Sequence, residues 1–132
     1  MQSTLKDLPY ESIMRFVDRI RKEFFSVEWP EHAPSIVVEL SHEEIETRLR
    51  EQGYEGLYLS YQYKEQIVDL RHPVYDFESD TPMEIHVRTR DVDDGVEVIG
   101  HLEASRYEAK KAHINEEGFE WLSEDDLRGL VE

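Results

Sequence analysis

The chain of 132 residues contains no cysteine. That absence excludes disulfides, thiolate metal sites and a cysteine nucleophile together, and it is typical of proteins kept in a reducing compartment. The chain also lacks any run approaching the roughly 20 apolar residues of a membrane span. Its first residues lack the apolar stretch of a signal peptide. We therefore expect a soluble, cytoplasmic protein with no membrane association.

The familiar catalytic motifs are missing as well. The sequence has no phosphate-binding Gly-Lys loop, no dinucleotide glycine fingerprint and no nucleophile elbow. His42 is followed by two glutamates, but the second histidine of a paired-histidine zinc helix is absent. These absences disfavour the common nucleotide-dependent and hydrolytic classes, and we expect no cofactor.

Basic residues are scarce, since 15 lysines and arginines stand against 31 aspartates and glutamates, for a net charge of −16. Self-repulsion of that size opposes a compact state in dilute buffer. At molar salt the Debye length falls to about 3 Å, which screens the repulsion. A high-salt cytoplasm is therefore the favoured explanation. The alternative is a basic partner docked on residues 116–132, which hold seven acidic residues and one arginine. Direct binding to nucleic acid is disfavoured.

The periodicity of apolar residues indicates one α+β domain over residues 1–132. Asp7 and Pro9 are suited to begin an amphipathic helix over residues 8–25. The apolar side chains of this helix recur at helical spacing and are predicted to form one buried stripe, made of Ile13, Phe16, Val17, Ile20 and Phe24.

Two further helices are indicated by their caps. Ser41 and Glu44 form a capping box, which predicts a short helix that ends near Gly53. Ser123 and Asp126 predict the same kind of start for a final helix. Because both signals lie in neighbouring residues, they do not depend on the rest of the fold.

The remaining segments have strand patterns. Alternating or short apolar runs predict strands at residues 36–40, 57–63 and 67–70, and two strands within residues 83–103. The stretch from His72–Pro73 to residue 82 predicts a loop. Residues 112–121 favour a hairpin that pairs Ala112 with Trp121. We therefore predict a mainly antiparallel sheet of five to seven strands, with the N-terminal helix and the second short helix packed on one face. A cone-like sheet wrapped around the first helix is the alternative.

The hairpin within residues 83–103 gives the clearest geometric prediction. A four-residue loop, Asp91–Asp94, places Val87 opposite Val98 and Arg88 opposite Glu97. One face of the hairpin is then entirely suited to a core. The other face is polar, with an ordinary cross-strand ion pair between Arg88 and Glu97.

This polar face carries the only candidate site with a chemical signature, formed by Glu84, His86, His101 and Glu103. In the predicted register His86 and His101 are diagonal neighbours. Two imidazoles and a carboxylate at that spacing can hold a divalent metal ion with positions left open for water or substrate. The alternative is a polar sheet face that collects histidines and glutamates because the protein is acidic. We favour this alternative and expect no metal, but if an ion binds, His86 and His101 are its ligands.

Aromatic residues form a second candidate set, suited to a pocket or an interface. Five of them lie within twenty residues, namely Tyr58, Tyr61, Tyr63, Tyr75 and Phe77. Tyrosine supplies a large amphipathic contact area and is enriched at interfaces. In high salt such a patch favours a homodimer. The alternative is that these rings fill the monomer's own core.

A third set is the compact basic patch on the first predicted helix, formed by Arg15, Arg19 and Lys22. It is suited to an anionic ligand or to an acidic surface of another chain, whereas the ordinary interpretation is a solvated helix face.

Two functions are consistent with these observations. The favoured one is a non-enzymatic binding or protein-interaction module, with another protein or a second copy of the chain as partner. The alternative is a small-molecule enzyme, hydrolase-like in character, that uses a histidine and carboxylate site with or without a metal. The lack of a recognisable catalytic constellation favours binding, since the fold does not decide function.

Overall fold

A computed structural model describes residues 12–13, 15–16, 27–56, 62–74, 81–105, 109, 111, 115–116 and 118–132. Those residues include two helices and six strands, in the order β1 (Ile36–Val38), α1 (His42–Glu51), β2 (Glu55–Gly56), β3 (Gln66–Val74), β4 (Met83–Val92), β5 (Gly95–Ala104), β6 (Glu120–Trp121) and α2 (Glu124–Val131). The predicted α+β class with an antiparallel sheet of five to seven strands is confirmed. The N-terminal helix on which the cone-like alternative depends lies almost wholly outside the described residues.

The sheet has the order β1-β5-β4-β3-β2, and β6 also pairs with β5. All of these pairings are antiparallel. The two ten-residue strands β4 and β5 form its centre. Their neighbours differ in length, because β3 has nine residues whereas β1 has three. Most of the sheet surface that can position side chains is therefore supplied by β3, β4 and β5.

The turn between β4 and β5 is tighter than predicted. Val92 lies directly opposite Gly95, so only Asp93 and Asp94 form the turn and the predicted four-residue loop is wrong. The register moves by two residues, which preserves the face on which each side chain lies. Gly95 has a φ of +148°, and a Cβ at this position would lie 2.3 Å from the carbonyl oxygen of Val38. A glycine is therefore required where β1 crosses the turn.

One face of the sheet is apolar and is covered by both helices. Val87 and Val98 from the central strands are fully buried, and α1 packs Ile45 and Leu49 against this face. Leu127 of α2 is also fully buried in the same cluster. The predicted packing of a short helix on one face of the sheet is confirmed for α1, which buries only its two strongly apolar residues.

Local signals set the ends of both helices. The capping box of Ser41 and Glu44 is present at the start of α1, and Ser123 with Asp126 forms the same motif at α2. Gly53 follows α1 with a φ of +99°. The two helices are joined where the Arg48 guanidinium donates a hydrogen bond to the Val131 carbonyl at 2.5 Å.

Three predictions need correction or remain open. His72–Pro73 belongs to β3, which continues to Val74, so the predicted loop begins later. Phe16, predicted to be buried, is 62% exposed. The hairpin partner Ala112 lies outside the described residues, while Trp121 pairs with His101 of β5, a neighbour that was not predicted. None of the helices in the described part of the chain is long and apolar enough to cross a membrane.

Candidate metal centre on the polar face of the sheet

The second face of the sheet is polar and nevertheless buried. Glu84 is fully buried, and His86, Arg88 and His101 are 2%, 3% and 4% exposed. Charged side chains are rarely buried to this degree unless they are paired or bind a metal. The face therefore requires a chemical explanation.

Antiparallel pairing places the side chains of this face in three rows across β3, β4 and β5. The rows are Asp69, Arg88 and Ile99, then Arg71, His86 and His101, then Pro73, Glu84 and Glu103. His86 thus lies directly opposite His101, where the predicted register made them diagonal neighbours. The centroids of the two imidazole rings are 5.4 Å apart.

The two ring nitrogens of His86 have different environments. Nε2 contacts the Asp69 carboxylate. Nδ1 is buried, has no hydrogen-bond partner among the described residues, and lies 3.6 Å from Oε1 of Glu103. The network therefore indicates the tautomer in which Nε2–H donates to Asp69 and the lone pair of Nδ1 is directed towards Glu103.

His101 and Glu103 complete a cluster with His86. Nε2 of His101 lies 3.3 Å from Oε2 of Glu103. One ligand atom from each of the three residues can be chosen so that all lie within 4.8 Å of one another. Ligands about 2.1 Å from a tetrahedral metal ion are about 3.4 Å apart. The two measured separations of 3.3 and 3.6 Å match that spacing.

The protonation states of this cluster suit metal ligands. Burial lowers the pKa of the His101 imidazole, although the contact with Glu103 opposes the shift. Burial alone raises the pKa of the Glu103 carboxyl, but the contacts with His101 and His86 outweigh it and hold the pKa well below its usual range. A neutral imidazole and an ionised carboxylate are the forms that bind metals.

Two arginines balance the remaining carboxylates. Arg71 donates to Oε2 of Glu84 at 2.9 Å, while Oε1 of Glu84 is buried without a hydrogen-bond partner in the described part of the chain. Arg88 lies 3.8 Å from Asp69 and 4.7 Å from the centroid of the Tyr63 ring.

The predicted pairing of Arg88 with Glu97 is wrong. Arg90 lies opposite Glu97 and donates to its carboxylate at 2.6 Å. The two-residue shift of the hairpin register accounts for this exchange of partners.

Aromatic rings cover one side of the cluster. Phe119 stacks on His101 with a centroid distance of 4.8 Å, and Trp121 meets His101 edge-on at 5.6 Å. Ile99, which follows on the same face of β5, is 1% exposed. These apolar groups shield the His101 side of the cluster from water.

A second chain of polar groups lies on the apolar face but does not form a site. His42 of α1 contacts Thr89 Oγ1 at 2.7 Å and Asp91 Oδ1 at 2.6 Å. The order of carboxylate, imidazole and hydroxyl is that of a hydrolytic triad. However, Thr89 is fully buried and its hydroxyl accepts the N–H of Val68. The chain therefore joins α1 to the sheet and presents no nucleophile.

The four residues predicted as the candidate site lie on one face, and Glu103 is the carboxylate that joins the two histidines. Glu84 is paired with Arg71 instead. The prediction missed Asp69 and Arg71, for which the only signal was a pair of charged residues at alternate positions of an otherwise apolar strand.

The other two candidate sets are described only in part. Tyr63 is half-buried and packs edge-on against Trp29 at 6.1 Å. Arg15 is exposed. The rest of both sets lies outside the described residues, namely Tyr58, Tyr61, Tyr75, Phe77, Arg19 and Lys22.

Comparisons with known proteins give no family to which this site belongs. The chain matches no family model, no curated protein and no solved structure.

Proposed function

We propose that this protein is a metal-binding domain that holds one divalent transition-metal ion through His86 Nδ1, His101 Nε2 and the Glu103 carboxylate. The observation that carries the proposal is the state of His86, whose Nδ1 is buried and unpartnered among the described residues while Nε2 contacts Asp69. A metal-ligating histidine almost always donates its other ring N–H to a carboxylate or carbonyl, which orients the ring. Asp69 supports His86 in that way.

The donor set favours particular metals. Two imidazole nitrogens and one carboxylate suit zinc, iron, cobalt or nickel, whereas magnesium and calcium prefer oxygen ligands alone. Nothing in the chain supplies a thiolate, because cysteine is absent. Zinc and ferrous iron are therefore the leading ions.

The competing interpretation replaces the metal with a proton. His86 would be an imidazolium between Asp69 and Glu103, and its charge would neutralise the one excess carboxylate of the buried face. That arrangement requires Nδ1–H to donate to Glu103, yet the two atoms are 3.6 Å apart, beyond an ordinary hydrogen bond. The separation suits two ligands of one ion better than a donor and its acceptor.

The role that we propose is binding rather than catalysis, because the histidines are almost wholly buried. A metal-dependent, hydrolase-like enzyme is the second candidate. It is favoured by the number of protein ligands, since catalytic zinc sites have three and structural sites have four.

The partner of the domain belongs to the same proposal. A homodimer in a high-salt cytoplasm is consistent with the net charge of −16, which molar salt would screen. Tyr63, one of the predicted interface residues, packs within the monomer beside Trp29 and Arg88. A self-association surface would therefore have to use other residues of the aromatic set.

The test is metal binding by the chelator-treated full chain at molar salt. Isothermal titration with zinc, checked by elemental analysis after gel filtration, is expected to show one ion per chain. His86→Gln, His101→Gln and Glu103→Gln are each expected to weaken binding by about a hundredfold or more, because each removes a ligand.

The matched control is His72→Gln. His72 is a half-buried histidine of β3 that contacts Tyr54 and lies outside the cluster. This variant is expected to bind zinc like the wild type. A wild-type protein that retains no ion, or a His72→Gln variant as impaired as His86→Gln, would overturn the proposal.

A further inference from the structure

We infer that the ion bound by His86, His101 and Glu103 keeps an open coordination position, and that this position binds a small anion such as hydroxide, azide or a carboxylate group. The inference rests on the proposed metal site and adds the class of its ligand. It is carried by the number of donors, by the buried charge and by the position of Arg88.

The described residues offer three ligand atoms, one from each member of the cluster. A tetrahedral ion needs four ligands and an octahedral ion needs six. Glu84 does not supply the fourth, because Arg71 holds one of its oxygens at 2.9 Å. At least one position is therefore left for a ligand from outside this set.

The buried charges show which kind of ligand is favoured. Three carboxylates and two guanidiniums lie on this face, and they leave one negative charge when both histidines are neutral. A divalent ion changes that sum to one positive charge. In a region shielded from water, an uncompensated charge is costly, so an anion on the open position would be stabilised. A neutral ligand would leave the charge in place.

Arg88 is the residue that is placed to assist the anion. It lies two residues from His86 on the same face of β4, a spacing of about 6.6 Å along the strand. Its side chain is 3% exposed, so water screens its charge poorly. Asp69 lies 3.8 Å away on the far side of the same row. The guanidinium therefore adds positive potential to the space beside the ion.

The aromatic cover limits the size of the ligand. Phe119 and Trp121 contact each other with ring centroids 5.1 Å apart, and both contact His101. A ligand on the ion has to fit beside these rings or displace them. A small anion satisfies that restriction, whereas a bulky one does not.

The experiment is an azide titration of the cobalt-loaded full chain in chloride-free buffer, followed by visible absorption. A saturable change in the cobalt bands is expected for the wild type. Arg88→Met is expected to bind cobalt as well as the wild type but to bind azide about tenfold more weakly, because a nearby positive charge is lost. Arg88→Lys keeps the charge and is expected to bind azide nearly as well as the wild type.

Arg90→Met is the matched control. Arg90 is a neighbouring arginine of β4 whose partners are Glu31, Glu65 and Glu97, away from the cluster. Removing it is expected to leave azide binding unchanged.

The outcomes separate this inference from the proposed function. Cobalt that binds tightly without responding to azide would overturn the open position and leave the metal site standing. Equal azide affinity in Arg88→Met and the wild type would overturn the role of Arg88. Failure to bind cobalt, zinc or ferrous iron would overturn the metal site and the anion site together. If Arg88→Met does not fold, the wild type and Arg88→Lys still decide the open position.

Discussion

The two faces of the sheet are built from the same three strands and are stabilised in opposite ways. On one face, Leu70, Val87 and Val98 pack under two helices and lose almost all contact with water. On the other face, one residue further along each strand, charged groups and histidines are buried to a similar degree. Burial of apolar groups is favourable, whereas burial of charges has a desolvation cost that pairing only partly offsets.

That difference shows where function is to be sought. A hydrophobic replacement of a buried ion pair is often neutral or stabilising, so a network of five charged groups and two histidines is weak evidence for stability. Stability alone therefore does not explain the polar face. A bound ion does, because metal binding couples to folding and repays the desolvation of its ligands.

The largest expected effect comes from breaking a pair on the polar face. Arg71→Met leaves the fully buried Glu84 without its partner. We expect the free energy of unfolding to fall by about 3–5 kcal/mol, since an uncompensated buried charge is left behind. Urea unfolding at molar salt measures the loss.

The double variant Arg71→Met/Glu84→Leu removes both charges and is expected to recover most of that stability. A single variant that loses less than about 1 kcal/mol would indicate that Glu84 is neutral or solvated.

The apolar face responds to a cavity rather than to charge. Leu49→Ala on α1 truncates a fully buried side chain. It is expected to cost about 2–5 kcal/mol in the same urea measurement. Zinc affinity should be unchanged when it is measured below the unfolding transition, because the helix lies on the opposite side of the sheet. Weakened zinc binding in the folded variant would show that the two faces are coupled.

Metal loading sharpens the contrast between the faces. Zinc at a free concentration of a hundred times its Kd is expected to stabilise the wild type by about 2.7 kcal/mol. Leu49→Ala should gain the same increment, whereas His101→Gln should gain none because it lacks a ligand. Differential scanning calorimetry with and without zinc provides the readout. An equal increase in Tm for His101→Gln would place the ion elsewhere.

The smallest effect is expected on the solvated surface. Glu46 and Arg50 form an i,i+4 ion pair at 3.0 Å, and both side chains are partly exposed. Glu46→Gln is expected to cost at most about 0.5 kcal/mol, and less at molar salt. A larger cost in urea unfolding would indicate that surface pairs matter more in this acidic protein than in ordinary ones.

The sequence by itself determined the features that depend on neighbouring residues. Ser41 with Glu44 and Ser123 with Asp126 begin the two described helices as predicted, because a capping box lies within four residues. The alternation of side chains placed His86 and His101 on one face of the hairpin, and this survived a register error of two residues. A shift of two preserves the face, since the period of a strand is two.

Only the tertiary structure decided which residues meet across strands. The tight turn at Asp93–Asp94, with β1 packed against Gly95, set His86 opposite His101 and gave Glu97 to Arg90. Pairing between β3 and β4 brought Asp69 to His86, although seventeen residues separate them in the chain. Such contacts follow from how strands pair and from what covers their faces, and a local pattern contains no information about either. The burial that makes the polar face costly, and thereby marks it as a site, is for the same reason a property of the folded chain alone.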